Sequence, residues 1–222
     1  MSPAIARRLL AIANEYRSYG RVDDEARWAP TDCRMPRPAS AHMSKSRHAA
    51  THGRKLYSLF ARDQMGYLAV ANLGAAPGQV IVKESWSARE VAPEDVPKDP
   101  FYTESIPLQP AAAEPAANAP VNAPAKPANQ PLFADGDRFN PYVRDGDTWF
   151  RTGERGPLFI MYKPTPEEGL AAESTDLGWV YGTVTADRTQ VTAAGRIASC
   201  MGCHRKAPHG RLFGLGYAGT SE

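Results

Sequence analysis

The chain has 222 residues, 42% of them apolar and 23% charged, and a formal net charge of +2. That length supports one ordinary domain with its own core. Charges of both signs spread along it exclude the clustered basic face that nucleic acid binding requires, and no stretch approaches the ~18 apolar residues of a membrane-spanning helix.

Residues 3–18 are predicted to form a helix. Ser2 stands as N-cap, Pro3 takes the first helical position, and Ile5, Leu9, Ile12 and Tyr16 recur at helical spacing before Gly20 stops the run. This start does not read as a secretory leader. Its apolar run Leu9–Ala13 is shorter than the usual ~7–15 residues and leads into Asn14 and Glu15. Residues 21–52 are polar and basic, with Pro30, Pro36 and Pro38, and read as ordered loop anchored by Trp28 and Met35. Arg54–Ala61 reads as a strand, Tyr67–Asn72 is ambiguous between strand and short helix, and Pro77-Gly78 marks a turn. Gln79–Ser87 is the clearest strand. Val80, Val82, Glu84 and Trp86 share one of its faces, and Ile81, Lys83 and Ser85 the other.

Composition changes at residues 88–131, which hold ten of the 20 prolines and eleven alanines. The run Pro110-Ala-Ala-Ala-Glu-Pro-Ala-Ala-Asn-Ala-Pro120 cannot build a core, and the segment is expected to be an extended, mobile insertion within a single domain. After a Gly/Asp/Asn-rich loop at 132–147, strands are expected at Asp147–Thr152, Leu158–Lys163 and Gly178–Thr185. Ala193–Ala207 carries a cysteine motif on a short helix. Short strands without long helices between them imply an α+β fold, a mainly antiparallel sheet with a helix at each end of the chain.

The chemistry concentrates in Ser199-Cys200-Met201-Gly202-Cys203-His204. In Cys-x-x-Cys-His two thiols lie on nearly the same side of a helical turn and can add to the two vinyl groups on one haem edge, while the next residue, His204, presents a nitrogen to the iron. A zinc site would want a second ligand pair, which His42, His48, His52 and His209 do not form. A thioredoxin-like redox pair would sit early in a βαβ unit. The expectation is one covalent haem c on Cys200, Cys203 and His204. The third cysteine, Cys33, reads as a small buried hydrophobe, with an intermolecular disulfide or a reactive thiol as alternatives.

None of the eighteen residues after His204 is Met, and His209 is too close in sequence to reach the opposite haem face. A methionine ligand would have to come from Met35, Met43, Met65 or Met161, each of which reads more simply as core or loop. The sequence therefore favours an iron with an open sixth position, suited to small-molecule binding or chemistry.

Several pieces in order make the chain resemble the cytochrome P-460 family, which includes the cytochromes c′-beta: His52-Gly53-Arg54-Lys55-Leu56-Tyr57, Gly78-Gln79-Val80-Ile81-Val82-Lys83-Glu84, Phe159-Ile160-Met161-Tyr162-Lys163, Gly178-Trp179-Val180-Tyr181 and the terminal haem motif. The resemblance covers most of the chain outside the Pro/Ala insertion. It implies a haem clasped by the sheet and helices, with a proximal histidine and a vacant distal site. Some members bind nitric oxide; others oxidise hydroxylamine with a haem whose rim is cross-linked to a lysine. Lys83 is the candidate for that lysine, with Lys163 second. Glu84 is the candidate distal proton acceptor, and Tyr57, Phe60, Trp86 and Phe159 are candidate pocket linings.

The resulting expectation is a periplasmic or otherwise exported mono-haem cytochrome, its leader absent from this chain. It would bind a small nitrogen oxide or oxidise hydroxylamine and exchange electrons with a redox partner protein. A plain electron carrier, a nitric oxide binder or sensor without turnover, and a haem module tethering a partner through the Pro/Ala segment remain alternatives. The oligomeric state, a homodimer included, stays open.

Overall fold

A computed structural model describes residues 1–22, 39–44, 53–68, 75–105 and 138–213. The described helices are α1 (Pro3–Glu15), α2 (Gln64–Leu68) and α3 (Ala198–His204). The strands are β1 (Gly20–Val22), β2 (His42–Met43), β3 (Lys55–Ala61), β4 (Val80–Val91), β5 (Glu104–Ser105), β6 (Arg138–Phe139), β7 (Tyr142–Asp145), β8 (Thr148–Arg155), β9 (Leu158–Tyr162), β10 (Val180–Val184) and β11 (Val191–Gly195). One sheet of nine strands runs in the order β1-β3-β4-β9-β10-β11, with β2 on β3 and the β7-β8 pair on β4; β5 and β6 form a separate ribbon. All of these ladders are antiparallel, so the α+β class holds in its coarse form.

The long strand β4 is the spine. One edge pairs with β3 over Ile81–Ser87; the other pairs first with β9 and then, past a bulge at Trp86–Ala88, with β8. The strand expected to end at Ser87 therefore runs on to Val91, because Ala88–Val91 pair with Trp149–Thr152. The insertion drawn from residue 88 gives its first residues to the sheet. Its Pro/Ala-rich centre, like Cys33, Met35 and the histidines His48 and His52, lies outside the described residues.

Helix α1 begins where expected, with Pro3 at its start and Ser2 in extended geometry. The Ser2 side chain makes no capping bond, and its carbonyl accepts from the Ala6 amide at 3.1 Å. The α-helix ends at Glu15 and the chain continues as a 3-10 turn to Ser18. The periodic stripe is buried: Leu9, Ile12, Ala13 and Tyr16 are 0% exposed and pack with Phe60, Val80, Val82, Ile160, Tyr162, Val180 and Val184. Gly182 makes this seating close. A β-carbon there would fall within 2.4–3.0 Å of the Leu9 side chain, so the bare glycine backbone is what lets α1 settle on β10.

Alternation along β3, β4, β9 and β10 sorts side chains onto two faces of the sheet. Leu56, Ser58, Phe60, Val82, Glu84 and Trp86 lie on the α1 side, in register across β3 and β4. Tyr57, Leu59, Ile81, Lys83, Phe159, Met161 and Tyr181 lie on the other. There a second cluster of Val22, Ala61, Tyr67, Ile81, Met161, Trp179, Tyr181 and Leu212 carries Ile197, Cys200 and Met201 packed against it, which seats α3.

Candidate functional site

Helix α3 holds Cys200, Cys203 and His204 over one turn. Cys200 is half-buried against the second cluster and Cys203 is exposed; neither is in a disulfide. Burial pushes the Cys200 thiol up from its ordinary value. His204 sits between two rings, with Tyr181 at 5.6 Å and Phe213 at 5.3 Å between centroids. Its Nδ1 lies 2.7 Å from the Arg211 carbonyl oxygen. A carbonyl only accepts, so Nδ1 carries the proton and Nε2 keeps the lone pair of the neutral ring. Burial holds the imidazole below its ordinary pKa, the Arg211 bond opposes that shift, and the Lys83 charge adds to it.

These features fit a haem c. One nitrogen is free to coordinate iron, its partner nitrogen is held by a backbone carbonyl as ligating histidines ordinarily are, and two reduced thiols stand on the same helix turn. Among the described residues no three His, Cys, Asp or Glu side chains gather as a metal-ion site. A haem iron takes only one protein nitrogen from this motif and so asks less of the chain than zinc does.

Lys83 lies on the His204 side of the sheet. Its cross-strand neighbours are Leu59 on β3 and Phe159 on β9, and its Nζ stands 3.9 Å from the centroid of the Tyr57 ring. Desolvation, with the Lys55 charge second, lowers its pKa to about 7. Lys55 is on the same face, its Nζ 5.3 Å from the Phe159 centroid. Lys163 also points to this side, but its amine donates to the Ala75 carbonyl at 2.7 Å, so it is engaged.

Glu84 is elsewhere. It is the next residue on β4 and so faces α1, where it is 1% exposed and pairs with Arg17 at 2.5 Å and Arg155 at 3.8 Å. A full sheet thickness separates that face from His204, and the role of distal proton acceptor does not fit this placement. The same alternation sorts the aromatics. Tyr57 and Phe159 share the Lys83 face, whereas Phe60 packs under α1 and Trp86 stacks on Phe139 at 5.2 Å, both on the Glu84 side. Of the methionines, Met65 is 71% exposed on α2, Met43 packs in the Trp86 cluster, and Met161 lies in the cluster that seats Cys200.

Three residues at this site carried no signal in the sequence. His42, on β2, is paired with Tyr57 and stacks beside its ring at 5.5 Å, which places it on the Lys83 face. Asp176 and Arg211 form a bidentate ion pair, Nε–Oδ2 at 2.8 Å and Nη2–Oδ1 at 2.9 Å, beneath the loop that follows α3. No protein-family model and no curated protein sequence matches the chain.

Proposed function

We propose that the chain is a mono-haem c-type cytochrome, with Cys200 and Cys203 as the thioether anchors and His204 as the iron ligand. The observation that carries this reading is the His204 Nδ1 bond to the Arg211 carbonyl, which leaves Nε2 as the coordinating nitrogen of a neutral imidazole. A bound haem would supply one-electron redox chemistry and an iron site for a small ligand. The chain's own residues do the rest. Tyr181 and Phe213 flank the imidazole, the second apolar cluster excludes water beneath α3, and Tyr57, Leu59 and Phe159 surround an amine on the same face.

Hydroxylamine or a nitrogen oxide such as nitric oxide is the proposed ligand or substrate, with a redox protein as electron partner and an exported setting. The support is the resemblance to the cytochrome P-460 family together with Lys83. A desolvated lysine with a pKa lowered to about 7 holds a large neutral, nucleophilic fraction at that pH, as a bond to the haem rim requires. With Glu84 on the other face, the proton acceptor of such a reaction is sought among the groups that share the Lys83 side.

Denaturing mass spectrometry of protein made with a haem-attachment system tests the first claim. Polypeptide plus one haem is expected, and Cys200→Ala with Cys203→Ala should abolish it. Haem released by acid–organic extraction of the parent would refute thioether attachment. Absorption spectra with and without nitric oxide then separate an open iron from a methionine-ligated electron carrier. Met161 is the side chain to test if the ligand-free spectrum is low-spin, since it shares the cluster that holds Cys200.

A further inference from the structure

Residues 205–213 fold back on themselves through a bridge in which His209 and Leu212 exchange backbone hydrogen bonds of 3.1 and 3.2 Å. Arg211 occupies this turn at φ 80°, a left-handed conformation that disfavours any residue with a β-carbon. Glycine would relieve that strain, yet an arginine stands here, and both of its ends are engaged. The guanidinium is held by both oxygens of Asp176, which is 5% exposed and also accepts from the Tyr181 hydroxyl at 3.1 Å. The carbonyl of the same residue accepts from His204 Nδ1. One position earlier, the Gly210 carbonyl accepts from Trp179 Nε1 at 2.9 Å. The turn is thus bolted to β10 and the loop before it by side chains from 176, 179 and 181.

We propose that Asp176 and Arg211 are positioning residues for the iron ligand. Their fork-to-fork ion pair pins a strained backbone so that the Arg211 carbonyl fixes the tautomer and the rotation of the His204 imidazole. The inference rests on the reading of His204 as the haem ligand. Four described non-glycine residues have positive φ, and Arg211 is the one of them whose carbonyl meets the His204 ring while its side chain is clamped by a buried carboxylate. A carbonyl held there also draws on the Nδ1 proton, which makes Nε2 a stronger donor to iron and stabilises the oxidised state. Tyr181 adds to the device twice, through its bond to Asp176 and through its ring beside His204.

The test uses the haem-loaded full chain and reads the ferrous Fe–His stretch by resonance Raman, together with the reduction potential. Asp176→Asn and Arg211→Gly should keep their covalent haem, shift the Fe–His stretch to lower frequency and raise the potential. Tyr181→Phe, which removes one bond to Asp176, should move both in the same direction by less. Glu15→Gln breaks the Arg62 ion pair beside α1 and serves as the control; it should lower stability without moving either signal. If Asp176→Asn does not accumulate, Arg211→Gly decides, because glycine lets the turn fold while leaving its carbonyl unpinned by Asp176. Haem-loaded variants with the parent's stretch and potential would overturn the inference, as would a control that shifts them equally. A parent chain without covalent haem would instead overturn the haem reading and this inference with it.

Discussion

The two faces of the central sheet treat a buried charge in opposite ways. On the α1 face Glu84 is enclosed, but Arg17 and Arg155 meet it, and the Arg17 guanidinium lies 5.5 Å from the Tyr16 centroid. One residue back along β4, Lys83 is given an aromatic ring and a neighbouring cation instead. It makes no ion pair among the described residues. The first arrangement stabilises a charge in place; the second drives a proton off an amine. A sheet that needed only a core would have no reason to do both on one strand. The difference is the reason the proposed chemistry is placed on the face that carries His204 and not on the α1 face.

The largest expected effect breaks the paired side. Glu84→Ala leaves two arginines with their shared carboxylate gone, and removal of one partner from a buried ion pair costs about 3–5 kcal/mol. Urea denaturation should register that loss, while any haem that is attached keeps its spectrum, because Glu84 faces away from His204. A changed haem spectrum at unchanged stability would reverse the assignment of the two faces. A smaller loss is expected from Gly182→Ala, whose new β-carbon would press on Leu9; overpacking of this kind costs about 1–3 kcal/mol. This effect too should be confined to stability.

How much of this was legible beforehand divides along the same line. Period-two alternation placed Lys83 and Glu84 on opposite faces of one strand, and the structure keeps that assignment. The distal role expected of Glu84 nonetheless fails, because alternation says that two side chains part company without saying which face α3 covers. The strands β1, β2, β6, β7 and β11 lay in stretches read as loop or helix. They are two to five residues long, too short to show a period, and β1, β2, β7 and β11 owe their form to the neighbouring strand they pair with. The Cys-x-x-Cys-His spacing is local and was therefore readable. Asp176 and Arg211, thirty-five positions apart, meet only in the folded chain, and no spacing announces them.

The last effect sharpens the comparison most, because its size depends on pH. The Lys83 pKa falls from 10.5 to about 7 on folding, with desolvation the main cause and the Lys55 charge second. Below about pH 7 the amine is protonated in both folded and unfolded chains, so folding bears the full penalty of burying the charge. Between about 7 and 10.5 the unfolded chain holds the proton and the folded chain does not, so stability rises with pH across that window. Above it both forms are neutral and the penalty is gone. In polypeptide made without haem attachment, Lys83→Met should therefore be more stable than the parent at pH 6–7. The gap should be widest there and should close towards pH 10, as the unfolded chain too gives up the proton. Urea midpoints across that range measure it. Curves that run parallel would make Lys83 an ordinary solvated ammonium, remove the nucleophile from the His204 face, and leave the haem reading without its route to a lysine cross-link. Curves that converge as described would give the cross-link its chemical precondition, and peptide mapping of the haem-loaded chain would then be expected to join Lys83 to the Cys200–His204 peptide.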